Sequence, residues 1–249
     1  MAELLNVKNI TKIYQKGQVL GLDNVSFDVR EGEFVGIMGA SGSGKTTLLN
    51  VLSTIDKPTQ GEIKIRGINI KNLKENAAAD FRSDHIGFIF QEYFLLHSLT
   101  VRENIAVPLT LKKMNSKKID EKVVELAKRF GIENKLPQYP SELSGGQQQR
   151  VAAARAIVKE PDILFADEPT GALDSNSATE LLKTLEEINK ELGTTILMVT
   201  HDAYAASFCK RILIFKDGEI INEFYKNEKS RNSFYQMITK EIAKLDEKR

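Results

Sequence analysis

Short apolar runs recur along the chain, separated by glycine, aspartate or proline. Most are four to six residues long, a length and boundary pattern that predicts β-strands. The early runs are joined by short turns, which favours antiparallel pairing in the first 70 residues. The later runs alternate with helical segments, which indicates parallel βαβ units. The predicted strands are Leu4–Val7, Val25–Val29, Phe34–Met38, Ile63–Ile65, Ile86–Phe90, Ile163–Ala166, Thr195–Val199 and Arg211–Phe215.

Helical periodicity is clearest in two segments, Ser116–Phe130 and Ser175–Leu192, where apolar residues recur every three or four positions. Between about residues 93 and 156 the pattern is helical and contains no convincing strand. We therefore expect a single α/β domain over residues 1–225, with a helical subdomain inserted at about 93–156. Residues 226–249 are charged with periodic apolar positions, which predicts a C-terminal amphipathic helix. Its last residues mix both charge signs, so a solvated helix on the core is favoured over a membrane anchor.

Composition narrows the class of protein. The chain has 249 residues, 41% of them apolar, and 35 basic side chains balance 34 acidic ones to give a net charge of +1. This balance is typical of a globular protein and argues against long disorder and against a nucleic-acid partner bound through a strongly basic surface. The single cysteine, Cys209, excludes an intrachain disulfide and favours a reducing compartment. No run approaches the roughly 18 consecutive apolar residues of a membrane-spanning helix.

A glycine-rich loop follows the predicted strand Phe34–Met38 and precedes a helical run. It fits the pattern G-x-x-x-x-G-K-[ST], and this strand–loop–helix context is the one that the pattern requires. Successive backbone amides of such a loop, together with the helix N-terminus, form an anion site for the phosphates of a nucleotide. The lysine reaches the β- and γ-phosphates and the following hydroxyl binds Mg²⁺. The residues are Gly39, Ala40, Ser41, Gly42, Ser43, Gly44, Lys45 and Thr46.

Two acids end the predicted strand that begins at Ile163, and a histidine follows the one that begins at Thr195. In a P-loop protein, an aspartate at such a strand end holds Mg²⁺, which predicts that function for Asp167. The adjacent Glu168 is then free to orient or deprotonate the attacking water. His201 lies at the carboxyl edge of the sheet, where ligands bind. Two interpretations of this residue stay open, a contact to the γ-phosphate and a purely structural function.

A second glycine motif occurs at Leu143–Gln147. Ser144 is a good N-cap and Gln147 stands at the N3 position, so the motif opens a helix that runs to about Val158. Gly145 and Gly146 allow close backbone approach at the N-terminus of that helix, which makes a second anion site on the same chain.

Taken together, these strings resemble the motifs of the ATP-binding cassette (ABC) ATPases, in the order in which that family carries them. Residues 39–46 are similar to the Walker A loop, and the resemblance extends the nucleotide-binding set to Thr47. Leu143–Gln147 is similar to the ABC signature, and Asp167 with Glu168 to Walker B and its catalytic glutamate. By the same resemblance Gln91 is the Q-loop glutamine at the metal, Asp174 belongs to the D-loop, His201 is the switch histidine, and Tyr14 stacks on adenine.

This resemblance implies a P-loop NTPase (RecA-like) core with an N-terminal antiparallel β subdomain and an inserted helical subdomain. It implies ATP and Mg²⁺ as cofactors and a head-to-tail homodimer, in which ATP on one Walker A loop is closed by the signature of the other copy. It also implies a separate integral membrane permease, which would hold the chain as a peripheral subunit on the cytoplasmic face of the membrane. The segment Glu92–Leu109 is expected to contact that permease, whereas its apolar run Tyr93–Leu96 fits core packing equally well.

Two longer sequence segments, Ser144–Val151 and Ala166–Ser175, resemble one subgroup of the family, the macrolide-export and lipoprotein-release type. Within that subgroup, Val51–Pro58 and Ile86–Leu96 look closest to ATPases of bacitracin export and antimicrobial-peptide resistance. That subgroup implies a permease with a large extracellular domain that often works with a two-component sensor kinase.

Two other functions stay open at this point. A soluble ABC protein of DNA repair or translation would carry two cassettes or a long coiled coil, whereas Lys45 and Leu143 are only 143 − 45 = 98 residues apart. A regulatory ATPase that signals to a membrane partner, or remodels it, without moving a substrate would carry the same motifs.

Overall fold

The structure, a computed structural model, describes residues 2–14 and 19–246, with side chains to residue 244. In chain order, its helices and strands are β1 (Glu3–Tyr14), β2 (Val19–Arg30), β3 (Phe34–Met38), α1 (Lys45–Leu52), β4 (Gln60–Ile65), β5 (Ile68–Asn69), α2 (Glu75–His85), β6 (Ile86–Ile89), α3 (Val101–Leu111), α4 (Ser116–Arg129), α5 (Gly145–Ile157), β7 (Ile163–Asp167), α6 (Ser175–Leu192), β8 (Thr195–Thr200), α7 (Ala203–Ala206), β9 (Arg211–Lys216), β10 (Glu219–Tyr225) and α8 (Arg231–Asp246).

The first sheet is antiparallel and has the strand order β2–β1–β4–β5. Its two long strands extend well beyond the predicted apolar runs, into residues that are mostly half-buried or exposed and so give no apolar pattern. The ladder between β1 and β2 contains several register shifts, near which Asn9 and Asn24 adopt positive φ angles of 50° and 49°. Asparagine tolerates this left-handed conformation better than most residues do.

The second sheet has six strands in the order β10–β9–β3–β8–β7–β6, and all of its pairs except β10–β9 are parallel. Strands β3 and β8 are buried along their whole length, as expected for a parallel sheet covered on both faces. The carboxyl ends of β3, β7 and β8 therefore lie side by side, and the loops that follow them carry the predicted phosphate, acid and histidine motifs.

Two apolar clusters cover the two faces of this sheet. One joins it to the antiparallel sheet and α1, through residues such as Val35, Leu48 and Ile63. The other joins it to α3, α4, α5 and α6, through residues such as Ile105 and Val151. The segment between β6 and β7 contains helices and no strand in the described residues, as the sequence pattern predicts. The predicted α/β fold with an antiparallel sheet and an inserted helical region is confirmed.

The C-terminal helix α8 lies against the core through Phe234 and Ile238, both fully buried. The guanidinium group of Arg231 lies 4.4 Å from the ring centroid of Phe208, just after α7. Within residues 2–14 and 19–246, no helix combines the length and the apolar character needed to cross a bilayer.

Candidate functional site

The glycine-rich loop lies between β3 and α1. The N-cap of α1 is Gly44, whose φ of 103° favours glycine, and a Cβ atom there would fall 2.4 Å from the carbonyl oxygen of Gly21. Glycine is thus required both by the backbone conformation and by the close approach of β2. The first amides of α1 have no intrahelical partner, so this loop and the helix N-terminus offer backbone donors to an anion.

Lys45 is the first residue of α1, and its ammonium group folds back over the loop. The Nζ atom donates to the carbonyl oxygens of Gly39 at 2.9 Å and Ala40 at 2.7 Å. Only 6% of the residue is exposed. Burial lowers the pKa of Lys45, although the charges of Glu168 and Asp167 oppose this effect. A desolvated cation held among carbonyl dipoles is suited to a polyanionic ligand.

The candidate metal ligands are Thr46 and Asp167, at the ends of the loop and of β7. The Thr46 hydroxyl donates to Asp167 Oδ1 at 3.4 Å. Burial raises the pKa of Asp167, and the charge of Glu168 adds to the rise, while the Thr46 hydrogen bond and Lys45 oppose it. Mg²⁺ takes oxygen ligands and is typically bound by one or two carboxylates together with substrate phosphates. This pair of side chains beside a phosphate loop fits that preference.

Glu168 follows β7 directly and lies in the left-handed region, with φ of 46°. Its amide donates to the carbonyl oxygen of Val199 on β8 at 3.0 Å, and its Oε2 atom lies 2.9 Å from Nδ1 of His201. The glutamate side chain is 15% exposed, whereas the histidine is 66% exposed. A non-glycine residue held in this conformation is common at functional sites, where surrounding bonds maintain the strain.

Tyr14 lies at the end of β1, beside the glycine-rich loop. Its hydroxyl donates to Asp56 Oδ2 at 3.0 Å, and the ammonium group of Lys12 lies 4.8 Å from its ring centroid. Its register partner is Val19 on β2. Val19 and Leu20 are 46% and 51% exposed, so the ring has apolar neighbours that face outward. The sequence pattern does not indicate these two residues, because they come beside Tyr14 only through the pairing of β1 with β2.

One cavity of about 700 Å³ unites most of the predicted site. Gly39 and Ser43 instead line an adjacent cavity of about 470 Å³ between the loop, β9 and α8. Both cavities are lined in part by the same residues, Ala40, Ser41, Gly42 and His201. Asp167 lines neither cavity and connects to the first through its hydrogen bond with Thr46. The first cavity is lined by Tyr14, Val19, Leu20, Gly21, Ala40, Ser41, Gly42, Gly44, Lys45, Thr46, Thr47, Gln91, Glu168, Gly171 and His201.

The second glycine motif does not line either cavity. Ser144 caps α5 as predicted, because its hydroxyl accepts from the amide of Gln147 at 3.3 Å and the Gln147 side chain accepts from the Ser144 amide at 3.0 Å. A Cβ atom on Gly146 would lie 2.6 Å from the hydroxyl of Ser177, and one on Gly145 would lie 2.9 Å from the hydroxyl of Tyr93. The motif therefore presents the N-terminus of α5 at a separate place on the same chain.

Asp174 is the N-cap of α6. Its carboxylate accepts hydrogen bonds from the amides of Asn176 and Ser177 and from the hydroxyl of Ser177 at 2.7 Å. These hydrogen bonds, that of the Ser177 hydroxyl first, lower the pKa of Asp174. The first turns of α5 and α6 thus meet at Ser177, next to the signature-like motif.

The segment after β6 runs from the cavity to the surface. Gln91 lines the cavity, while Phe94 and Leu96 are 58% and 47% exposed and Leu95 is buried. Tyr93 and Phe94 both have positive φ angles, and Arg155 of α5 donates to both of their carbonyl oxygens, at 2.8 and 2.7 Å. The apolar run therefore divides between core packing and an outward surface.

Comparison with known proteins identifies the relatives of this chain. The model of the ABC transporter family matches residues 22–171. A bacitracin export ATP-binding protein of Halalkalibacterium halodurans, BceA, is 52% identical over 95% of this chain and 94% of that protein. The ABC transporter ATP-binding protein YxdL of Bacillus subtilis is 48% identical over 98% of this chain and 95% of that protein.

A solved structure agrees with the fold. It is a dimer of the ATP-binding cassette MJ0796 of Methanocaldococcus jannaschii in a post-hydrolysis state, bound to ADP and phosphate. The two chains align with a TM-score of 0.83 and 42% identity, covering 89% of this chain and 98% of the other.

Proposed function

Because this chain belongs to the ABC transporter ATPases, we propose that two copies of it close on two ATP molecules and drive a separate membrane permease. It is an ATP-binding and ATP-hydrolysing subunit, and proteins of its family dimerise and work with permease subunits. The observation that carries the proposal is the single cavity that joins Tyr14, Lys45, Glu168 and His201.

ATP binds along this cavity. The Tyr14 ring stacks on adenine, with Val19 and Leu20 beside it, and the amides of residues 39–47 hold the phosphates. Lys45 exchanges its bonds to the Gly39 and Ala40 carbonyls for the β- and γ-phosphates. Thr46, Asp167 and Gln91 would hold Mg²⁺, which would neutralise charge on the phosphates.

Hydrolysis uses the residues at the ends of β7 and β8. The carboxylate of Glu168 accepts the hydrogen bond of the attacking water and draws its proton away as the water oxygen bonds to the γ-phosphorus. The bond between that phosphorus and the β–γ bridging oxygen breaks, which yields ADP and phosphate. His201 bonds to Glu168 and thereby positions it, and its exposed ring contacts the γ-phosphate.

The second copy completes each site. Its Ser144, Gly145, Gly146 and Gln147 bring the α5 N-terminus onto the γ-phosphate, since in the free chain this anion site lies outside the nucleotide cavity. Asp174 lies beside it and contacts the opposite copy through its loop. The sandwich is thus stable only while the γ-phosphate is present.

The permease docks on the exposed part of the segment that follows Gln91. Phe94 and Leu96 form an outward apolar pair within a segment tied to α5 by Arg155, so a permease that moves this segment also moves the signature helix. The chain is then a peripheral subunit on the cytoplasmic face of the membrane.

The transported or recognised class is antimicrobial peptides, by similarity to the bacitracin export protein. A two-component sensor kinase acts with the permease in this proposal. The test is expression of the chain with the permease encoded beside it, in a peptide-sensitive host. Raised peptide tolerance that Glu168→Gln abolishes supports the proposal. Unchanged tolerance together with ATP-dependent kinase signalling assigns a regulatory function instead.

A further inference from the structure

A buried glutamine on α5 connects the two strand ends that carry the reacting groups of the proposed site. Gln149 is fully buried. Its Nε2 atom donates to the carbonyl oxygen of Phe90 at 3.1 Å and to that of Pro169 at 2.7 Å. Phe90 immediately precedes Gln91, and Pro169 immediately follows Glu168. One carboxamide therefore holds the main chain next to both polar side chains.

The location of the two donated bonds, rather than their energy, indicates a positioning function. The other end of the carboxamide, Oε1, is buried and has no hydrogen-bond partner among the described residues. A buried acceptor without a partner costs stability, and an apolar side chain of the same shape would avoid that cost. The two donated bonds fix the carbonyls next to two residues that line the cavity, Gln91 and Glu168, and Glu168 is already strained at φ of 46°.

The helix that carries Gln149 is also the helix that the signature-like motif opens. Gln149 lies one turn after Ser144, and Arg155, further along α5, donates to the carbonyls of Tyr93 and Phe94. A displacement of α5 is thus transmitted through side-chain donors to the whole segment that follows β6 and to the loop that follows β7.

We propose that Gln149 is a positioning residue that fixes Glu168 and Gln91 in place relative to the signature helix. When this helix docks on a second copy, Gln149 aligns the reacting groups in the chain to which the helix belongs. This inference rests on the proposed ATPase function. It predicts that Gln149 affects turnover much more than ATP binding, since the binding groups of residues 39–47 lie on α1 and its loop.

The chain offers a matched control. Asn189 on α6 is also a buried carboxamide that bridges two carbonyls, those of Gly32 at 3.1 Å and Thr194 at 2.7 Å. Its Oδ1 atom likewise has no partner among the described residues. Neither Gly32 nor Thr194 lines the nucleotide cavity. Asn189→Leu therefore removes the same kind and number of bonds at a distance from the chemistry.

The experiment compares Gln149→Met with Asn189→Leu in the purified full chain with MgATP. Both should lower Tm by a similar amount, about 2–8 °C. Gln149→Met should lower kcat by about 10- to 100-fold, because small misplacements of reacting groups are costly, and leave KM near the wild-type value. Asn189→Leu should leave both constants near wild type. Equal loss of kcat in the two variants, or an unchanged kcat in Gln149→Met, would overturn the inference.

Amide hydrogen exchange provides a readout that needs no hydrolysis. Faster exchange in peptides covering residues 90–96 and 168–173 of Gln149→Met, and not of Asn189→Leu, supports the inference; equal protection in wild type and Gln149→Met contradicts it. If Gln149→Met does not fold, Gln149→Asn retains the amide at a shorter reach and takes its place in both assays. Absence of hydrolysis by the wild-type chain would count against the proposed function. The exchange result would then decide by itself whether Gln149 holds the segments after β6 and β7.

Discussion

The candidate site contains a buried cation, Lys45, and a partly buried carboxylate, Asp167, and each costs the free chain stability. Burial lowers the pKa of Lys45 and raises the pKa of Asp167. Each shift means that folding disfavours the charged form of the group. In the proposed function, a triphosphate beside Lys45 and a divalent cation beside Asp167 would supply the opposite charge that each group needs. The site is thus built for its ligands at a cost to the free protein.

Asp167→Asn should therefore stabilise the ligand-free chain. A carboxyl whose pKa is raised by folding lowers the free energy of unfolding as pH rises above the ordinary aspartate range. The neutral amide removes that cost, so Tm at pH 7.5 should exceed that of wild type. The difference should shrink on acidification, as Asp167 becomes protonated. Mg²⁺-dependent hydrolysis should fall by about 10- to 100-fold. A lower Tm at pH 7.5, measured by calorimetry, would contradict this account.

Lys45→Ala should weaken nucleotide binding by about 10- to 100-fold, because charged hydrogen bonds to phosphate are lost. The measurement is a titration with ATP monitored by calorimetry. Lys118→Ala, on the exposed face of α4, removes an equal charge away from the cavity and should bind as wild type does. Equal affinities in the two variants would show that the loop assignment is wrong.

At the scale of elements, the proposed function uses two helix N-termini of one chain that lie at separate places. The N-terminus of α1 faces the cavity, and the N-terminus of α5 is capped by Ser144 outside it. In the proposed head-to-tail dimer, the N-terminus of α5 in one copy would meet the cavity of the other. Helix α5 also connects its own N-terminus to the loops after β6 and β7, through the Arg155 and Gln149 bonds.

Ser144→Arg should block this closure. The bulky cation occupies the position that the phosphate approaches and removes an N-cap, at a stability cost of about 1 kcal/mol. ATP binding by the single chain should remain, since Ser144 does not line the cavity. Ser116→Arg at the start of α4 is the control. Analytical ultracentrifugation with ATP, in a Glu168→Gln background, should show dimers of the control alone. Dimers in both would exclude contact in trans.

Most elements follow from the sequence because their patterns are local. Strand β3 has the predicted bounds, and α6 spans its predicted residues. Helix α2 was not predicted, because only Ala78 and Phe81 of its residues are buried, too few to give a periodic pattern. Strand β10 was also not predicted, because it is an edge strand without a fully buried residue. Both depend on neighbours that are distant in sequence.

The candidate site divides in the same way. Contiguous motifs at residues 39–47, 143–147 and 167–168 could be placed from the sequence, because each contains its own turn or cap. The apolar residues Val19 and Leu20, and the two bonds of Gln149, could not be placed. They arise from strand pairing and from side chains that reach carbonyls 59 and 20 residues away. No periodicity carries that information.

At the scale of the whole molecule, one chain is half of the proposed working unit. Its cavity brings together Lys45, Thr46, Gln91, Glu168 and His201, with Asp167 hydrogen-bonded to Thr46, while its signature motif lies outside that cavity. The related cassette of known structure was captured as a dimer with ADP and phosphate. The near-neutral charge of +1 fits a subunit held by protein partners rather than by anionic lipid or nucleic acid.

The most direct test of this account is the association state of Glu168→Gln. Light scattering behind a sizing column, with MgATP in the running buffer, should show two chains per particle, because the variant binds ATP and does not hydrolyse it. Without nucleotide it should show one chain, and wild type should hydrolyse the ATP and separate. A single chain in the presence of ATP, or steady hydrolysis by the variant, would contradict the proposal that an ATP sandwich drives this protein.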